Sequence, residues 1–341
     1  MDLLVLGGTH HVGRNVVEAA LSEGHRVTTL SRGSSGPPPP GAVALHADRT
    51  RPGELAEALG SRQFDAVVDT WSTAPRAVLE AAELLADRVG HYGYVSTVSV
   101  YREPTPAGIG EDFPVVEGDP GAETLDYAAD KRGAEMAVLG HLGARALVAR
   151  AGLILGPHER VGRLPWWLRR LERGGPVAAP GPADRPLQYI DGRDLAGWLL
   201  ASAGAGTGGI FNAVGRPGST TMGRLLEAAR EVTGSRAELV WATPEAVEAA
   251  GISPWTEFPI WVPPGEEYAG VHDIDVTAAH RAGLSCRTVG RRSPTPGRRC
   301  WRRGTRRASG PDRSGARPRR SSACWRLSGT ADGDRAAPGA P

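Results

Sequence analysis

The first half of the chain alternates short apolar segments with segments of helical periodicity. The apolar runs that predict strands lie at about 2–7, 25–30, 42–46, 65–69, 92–97 and 146–150. The helical patterns lie at about 12–23, 52–60, 75–88 and 127–141. Strands that are apolar throughout and alternate with helices are typical of a parallel sheet covered on both faces. The sequence therefore predicts a doubly wound α/β fold.

The second half of the chain is less regular. Its helical patterns lie at 162–173, 192–203 and 219–233, and an apolar strand is predicted at 237–241. The run that starts at Asp273 predicts a last short helix, with Gly283 as its cap. Ligands of doubly wound proteins bind outside the carboxyl ends of the strands. We therefore expect the site where those ends meet the segments of the second half.

Residues 289–341 differ from the rest of the chain in composition. They hold fourteen Arg and three Asp, a formal charge of +11, so the preceding residues carry about −9. They include Val289 and Leu327 but no Ile, Phe, Met, Tyr or Glu, and so few apolar groups cannot offset the entropy of folding. We predict a disordered basic tail, produced by a frameshift near 286–290. A nucleic-acid-binding arm is the disfavoured alternative.

Several other classes of protein are disfavoured. No run of about 18 uncharged apolar residues predicts a membrane span. The N-terminus lacks the basic region and the cleavage site of a signal peptide. Cys286, Cys300 and Cys324 are widely spaced and predict neither a disulfide framework nor a zinc site. We expect a cytoplasmic protein that binds neither a membrane nor a metal.

A glycine-rich loop joins the first predicted strand to the first helix. Glycines in this position let the backbone approach a pyrophosphate, whose charge the helix N-terminus stabilises. The predicted dinucleotide-binding residues are Gly7, Gly8, Thr9, His10, His11, Val12 and Gly13. His10 stands where such loops carry their central glycine, and it either donates to a phosphate or only covers the loop. We expect His11 to pack under the turn.

The ends of the following strands carry further candidate cofactor contacts. An acidic residue after the second strand would bind the ribose 2′-hydroxyl of NAD, whereas an arginine suits the 2′-phosphate of NADP. The chain has Ser31 and Arg32 there, which favours NADP(H), with NAD(H) as the alternative and a solvated loop charge as the simpler interpretation of Arg32. Asp48 is placed to face the adenine or to cap the next helix. The segment of Asp69, Thr70, Trp71 and Ser72 should run beside the cofactor through backbone groups.

The whole chain contains one lysine, Lys131, and it follows Tyr127 by four residues. On a helix, this spacing puts both side chains on one face. A free tyrosine has a pKa near 10 and is a poor acid–base group at neutral pH, but a nearby ammonium favours its phenolate. A guanidinium does not replace the compact ammonium charge. The pair therefore indicates a catalytic site, whose third member should be a hydroxyl at a strand end.

Five segments carry a resemblance to a known family: 7–13, 96–101, 127–131, 150–157 and 188–194. Over about residues 1–285 the chain resembles the extended short-chain dehydrogenase/reductases (SDRs), the NAD-dependent epimerase/dehydratase family. Within them it resembles the actinobacterial branch with a GGT-x-x-x-G loop, which is related to chloroplast stem-loop RNA-binding protein. The resemblance implies a Rossmann fold with a smaller C-terminal substrate lobe.

The resemblance also implies a division into domains. The NAD(P)-binding domain would comprise residues 1–157 and be completed by about 186–215. The substrate-binding lobe would comprise 158–185 and 216–288. The partner would be a small-molecule substrate, and a homodimer is left open.

The same resemblance implies a role for each catalytic residue. Tyr127 would be the general acid/base, and Lys131 would orient the cofactor ribose and lower the Tyr127 pKa. Thr97 would steady the substrate oxygen while hydride passes between nicotinamide C4 and a substrate carbon. Ser96 and Ser99 are the neighbours that could be confused with Thr97.

One position departs from the family pattern and leaves the reaction open. Leu153 occupies a place where relatives that act on nucleotide sugars often carry Asn. This favours simple carbonyl or alcohol redox chemistry over sugar-nucleotide epimerisation. The alternative from another class is a dinucleotide-binding protein without turnover, either redox-sensing or RNA-associated.

Two clusters in the second half are expected to have structural roles. Trp166 and Trp167 predict a helix packing face, with substrate contact as the alternative. Asp191, Arg193 and Asp194 stand at a predicted helix start, where they indicate an ion-pair and helix-cap cluster.

Overall fold

The structure, a computed structural model, describes residues 1–290. Its strands, in chain order, are β1 (Asp2–Leu6), β2 (Arg26–Ser31), β3 (Val43–His46), β4 (Phe64–Asp69), β5 (Val89–Thr97), β6 (Ala146–Ala151), β7 (Leu153–Leu155), β8 (Pro176–Pro180), β9 (Pro186–Leu187), β10 (Tyr189–Asp191), β11 (Gly209–Ala213), β12 (Thr220–Thr221), β13 (Glu238–Ala242), β14 (Pro254–Trp255) and β15 (Phe258–Pro259). Its α-helices are α1 (His11–Ser22), α2 (Glu54–Leu59), α3 (Pro75–Leu85), α4 (Tyr127–Leu142), α5 (Arg163–Glu172), α6 (Gly192–Ala205), α7 (Met222–Thr233), α8 (Pro244–Ala249) and α9 (Thr277–Arg281).

Seven of these strands form one parallel sheet in the order β11-β6-β5-β4-β1-β2-β3. The chain builds outward from β1 through β2 and β3, and then returns to the other side of β1 with β4. Between β1 and β4 the order therefore reverses, which is where doubly wound folds bind ligands at the carboxyl ends of their strands. The predicted doubly wound Rossmann architecture is confirmed.

Helices cover both faces of this sheet. On one face, α1 and α6 bury apolar side chains that include Val16, Val17 and Leu199. On the other face, α3 and α4 contribute a second cluster that includes Val78 and Val138. Each helix buries one apolar stripe, so the strands between the layers are apolar on both sides, as their sequences predict.

A third apolar cluster lies in the second half of the chain and centres on Trp167. This side chain is fully buried, stacks on Phe258 with ring centroids 6.0 Å apart, and donates from Nε1 to the carbonyl oxygen of Pro259 at 2.8 Å. The packing interpretation of Trp167 is therefore confirmed. The same cluster contains Leu153, which is 8% exposed. The domain division within residues 1–288 stays a prediction.

The predicted structural cluster at the start of α6 is also confirmed. The Asp191 carboxylate caps the helix by accepting from the Arg193 backbone N–H at 2.9 Å. The Arg193 guanidinium donates to both oxygens of that carboxylate. Asp194 accepts from the backbone N–H and the Nε of Arg287, each at 2.7 Å.

Some element boundaries differ from the sequence prediction because of contacts with distant segments. β5 begins at Val89, since Val89 pairs with Phe64 at the start of β4. α7 begins at Met222 and not near 219, since Thr220 and Thr221 pair with β9 and the Thr221 side chain caps the helix.

The predicted disordered tail lies outside the described residues, apart from Val289 and Gly290. Val289 packs against the third apolar cluster. Within residues 1–290, no helix is long and apolar enough to cross a membrane.

Candidate active site

The loop after β1 makes close contacts at its glycines. Gly7 has a φ of +100°, and a Cβ on it would lie 2.4 Å from Thr70 Oγ1. A Cβ on Gly13 would lie 2.2 Å from the carbonyl oxygen of Gly7. The first turn of α1 therefore rests directly on the loop backbone, and only glycine fits at these two positions.

The N-terminus of α1 is open towards a ligand. Its N-cap residue, His10, makes no side-chain hydrogen bond to the first turn, and that turn holds no acidic residue. The first N–H groups of a helix lack partners within the helix, and the helix dipole adds a partial positive charge there. Together with the glycine cradle, this arrangement fits the pyrophosphate of a dinucleotide.

A cleft of about 260 Å³ lies beside this helix end, at the carboxyl ends of the central strands. The predicted site residues that line it are His10, His11, Val12, Gly13, Thr70, Thr97, Tyr127 and Lys131. The predicted residues outside its lining are Gly7, Gly8, Thr9, Ser31, Arg32, Asp48 and Asp69. The lining also contains Ser72 and Ser96, and four residues that were not singled out from the sequence, namely Val95, Ala151, Gly152 and Ile154.

Tyr127 stands at the first turn of α4, where the Asp126 carboxylate caps the helix by accepting from Ala128 N and Ala129 N at 3.0 Å each. Its side chain lines the same cleft as Thr97. Although the Tyr127 side chain is 39% exposed, desolvation by the protein atoms around it raises its pKa above the usual value, and Thr97 and the Arg163 charge only partly offset that effect. The expected lowering of this pKa by the lysine is therefore wrong for this structure.

The position of Lys131 explains that outcome. Its Nζ donates to the carbonyl oxygens of Trp71 at 2.6 Å and Val95 at 2.7 Å, and lies 4.8 Å from the centroid of the Tyr94 ring. Lys131 is only 3% exposed, and burial lowers its pKa to about 7, although Asp69 and other carboxylates favour its charged form. The ammonium is thus engaged by backbone groups of β5 and of the loop after β4.

The hydroxyls at the end of β5 have separate partners. Ser96 Oγ donates to Glu135 Oε1 at 2.7 Å, inside the protein. Thr97 Oγ1 lies 2.9 Å from Ser99 Oγ and accepts from Ser99 N at 3.2 Å. Thr97 lines the cleft with Tyr127 and is the one of these three hydroxyl groups that favours the ionised form of the candidate acid–base group.

The Asp69 side chain faces the protein interior and not the cleft. It accepts from Arg49 through two bonds of 2.8 Å, from Tyr92 Oη at 2.8 Å and from Trp71 N at 2.9 Å. Burial opposes ionisation, but the Arg49 charge and these hydrogen bonds outweigh it, so the Asp69 pKa lies below its usual value. This carboxylate shapes the loop that brings Thr70 and Ser72 to the cleft.

A second buried carboxylate, Glu135, was missed in the sequence. It is 0% exposed and accepts from Ser96 Oγ and, through both its oxygens, from the Arg150 guanidinium. The available signal was its place four residues after Lys131, on the same face of α4. It connects the site helix to β5 and β6.

The residues predicted near the adenosine end lie at the ends of β2 and β3. Ser31 Oγ accepts from Gly33 N at 3.3 Å, and Arg32 is exposed. Asp48 accepts from the backbone N–H and the hydroxyl of Thr50 and so holds the turn before α2. Their cofactor roles stay predictions. In residues 1–290, no group of three or more His, Cys, Asp or Glu side chains is arranged to hold a metal.

Curated relatives are similar to most or to part of this chain. This chain is 26% identical over 279 residues to dTDP-6-deoxy-L-talose 4-dehydrogenase (NAD(P)(+)) of Kitasatospora kifunensis, and the alignment covers 74% of this chain and 85% of the relative. It is also 31% identical over 202 residues to 2′-dehydrokanamycin reductase of Streptomyces kanamyceticus, and that alignment covers 56% of this chain and 55% of the relative. The match therefore spans about half of the second protein.

A solved structure supports the same fold. The Bordetella bronchiseptica enzyme WbmG in complex with NAD matches with a TM-score of 0.63 and 18% identity, over 84% of this chain and 89% of that one. The family model described as NAD dependent epimerase/dehydratase family matches residues 3–213, more than half of the chain. This chain belongs to the NAD dependent epimerase/dehydratase family.

Proposed function

We propose that this protein is an NAD(P)(H)-dependent oxidoreductase or epimerase of the extended SDR type. It would transfer hydride to or from a small hydroxyl- or carbonyl-bearing substrate, with Tyr127 as general acid/base. The observation that carries the proposal is the convergence of Tyr127, Thr97 and Lys131 in the cleft beside the glycine loop. The finer affiliation, to the actinobacterial branch related to chloroplast RNA-binding protein, stays a prediction.

The bound dinucleotide would supply or accept the hydride, and the chain would handle the proton and the orientation. Tyr127 Oη would give its proton to the substrate oxygen during reduction and take it back during oxidation. Thr97 would donate to the same oxygen, with Ser99 holding its hydroxyl in place. An ammonium has three donors, two of which Lys131 gives to carbonyls, so the third is available for the cofactor ribose.

Redox chemistry at a carbonyl or alcohol is favoured over epimerisation. The two curated relatives are named as a dehydrogenase and a reductase. Leu153, in the place where nucleotide-sugar enzymes of the family often carry Asn, packs in the third apolar cluster. The substrate is a small molecule, and a homodimer stays a prediction.

A substrate screen tests the proposed function. We expect the purified protein to oxidise NADPH or NADH in the presence of some keto sugars or simple ketones, or to reduce NADP⁺ or NAD⁺ with the matching alcohols. Nicotinamide absorbance measures both directions, and a Tyr127→Phe sample is the control for background oxidation. If the protein binds the dinucleotide but turns over no compound of the panel, the non-catalytic dinucleotide-binding alternative replaces the enzyme.

The cofactor preference rests on Arg32, for which we propose a contact with the 2′-phosphate of NADP(H). Arg32→Ala should weaken NADPH binding about tenfold or more, because a charge-assisted hydrogen bond to phosphate is lost. NADH affinity should change little. Fluorescence titration with both nucleotides measures this, with the exposed Arg236→Ala as matched control. Equal losses for NADPH and NADH would contradict the contact with the 2′-phosphate.

A further inference from the structure

The segment 156–162, between β7 and α5, lies along α1 and is fastened to it. Asn15 Nδ2 donates to the carbonyl oxygen of Pro157 at 3.1 Å. His158 Nε2 lies 3.0 Å from Glu18 Oε2. Glu159 then accepts from the first backbone N–H groups of α5, at 2.6 Å from Arg163 and 3.2 Å from Leu164. The segment thus connects the cofactor-side helix α1 to the first helix of the second half.

Between these two attachments, Arg160 extends to a third part of the chain. It is exposed, and its Nη2 donates to the carbonyl oxygen of Ser35, in the loop after β2, at 3.5 Å. His10 lines the cleft, and its pKa is lowered by partial burial first and then by the charges of Arg160 and Arg32. The contact with Ser35 places the Arg160 guanidinium at the loop that follows Arg32, on the side of α1 to which the segment 156–162 is fastened.

These basic side chains carry an excess of positive charge. Among the described residues, neither Arg32 nor Arg160 forms a salt bridge of 4.0 Å or less. The Arg32 charge does contribute to lowering the pKa of the Asp48 carboxyl. His10 is the N-cap residue of α1, and the uncapped N-terminus of this helix also favours an anion. Exposed guanidinium groups beside such a helix end suit a phosphate, which they bind with two parallel hydrogen bonds.

We propose that Arg160 binds a phosphate group of the dinucleotide, so that the segment 156–162 acts as a strap over the cofactor site. The inference rests on the proposed function, because it takes the dinucleotide as the ligand of the cleft. Since the strap continues directly into α5, the bound phosphate would also fix the start of α5. Cofactor binding would thereby order the side of the site where the substrate enters.

Equilibrium titration of the full chain with NADPH and, separately, with NADH tests this strap. Arg160→Ala should weaken binding about tenfold to a hundredfold at low ionic strength, and Arg160→Lys should restore part of the loss. High salt should shrink the difference between wild type and variant, since the site is exposed. Arg169→Ala, which removes an exposed arginine on α5, is the matched control and should leave both affinities unchanged.

The two nucleotides separate the two sources of phosphate. A loss confined to NADPH assigns Arg160 to the 2′-phosphate, and an equal loss for both assigns it to the pyrophosphate; either result supports the strap. Unchanged affinity for both nucleotides in Arg160→Ala overturns the strap and leaves the proposed function standing. If the wild-type chain binds neither nucleotide, the proposed function fails and the strap fails with it.

Discussion

Replacing Tyr127 by phenylalanine is expected to lower kcat by about 10²–10⁴-fold, the range typical for removal of a general acid–base group. The change deletes one hydroxyl and keeps the ring. The Tyr127 side chain is 39% exposed and lies in the cleft lining, so stability and dinucleotide affinity should change little. Steady-state rates with the best substrate of the screen, followed by nicotinamide absorbance, measure the loss.

A matched variant separates chemistry from general damage. Tyr268→Phe removes a phenol hydroxyl in the 3₁₀-helix Glu266–His272, away from the cleft lining, and should keep wild-type kcat. A Tyr127→Phe enzyme with kcat within about threefold of wild type would exclude Tyr127 as the proton donor, since general acid–base catalysis contributes at least about a hundredfold.

The pH dependence of this reaction follows from the raised pKa of Tyr127. An acid whose pKa lies above the working pH stays protonated, so the phenol can donate a proton throughout the neutral range. Reduction should therefore not lose this proton donor until the pH approaches the Tyr127 pKa. Oxidation needs the phenolate and should accelerate as the pH rises towards that pKa. The alkaline rise in the oxidation rate should be absent in Tyr127→Phe.

Much of the fold could be predicted because its signals are local. The strands of the main sheet are continuous apolar runs, and the helix α4 begins at Tyr127, one residue after its cap Asp126. The glycine loop could be assigned for the same reason, since the strand, the turn and the helix follow each other directly. Periodicity within one segment was sufficient for these predictions.

The buried ion pairs could not be predicted, because their partners are distant in sequence. Asp69 ends an apolar strand, and nothing near it in sequence indicates that Arg49 pairs with it. Glu135 has the sequence context of an ordinary helix residue, and its ion pair with Arg150 of β6 forms only in the tertiary structure. The same limit explains the wrong expectation for the Tyr127 pKa. The sequence places an ammonium near the phenol, but only the tertiary structure directs that ammonium to the carbonyls of Trp71 and Val95.

Replacing Arg49 by methionine is expected to destabilise the protein by about 3–5 kcal/mol, the usual cost of leaving a buried charge without its partner. Arg49 is 5% exposed and Asp69 is 0% exposed. The substitution should also disturb the candidate catalytic site, because Trp71 N donates a hydrogen bond to Asp69 and the Trp71 carbonyl oxygen accepts one from Lys131. Urea unfolding at neutral pH measures the loss. Arg51→Met, at an exposed position nearby, is the control and should stay within about 0.5 kcal/mol.

The double variant Arg49→Met/Asp69→Asn tests whether the unpaired charge causes this loss. Asparagine carries no charge, keeps one acceptor oxygen for Trp71 N and can donate from its NH2 to Tyr92 Oη. The double variant should therefore be more stable than Arg49→Met alone at neutral pH. In the wild type, the lowered Asp69 pKa gives stability above the unfolded pKa that is lost as the pH falls. In Arg49→Met, burial without a partner raises the Asp69 pKa instead of lowering it. Acid should then neutralise the Asp69 carboxyl, so the difference in the free energy of unfolding between this variant and the wild type should become smaller as the pH falls. A double variant no more stable than the single one would assign the loss to packing and to the missing Ala77 contact of Arg49 instead.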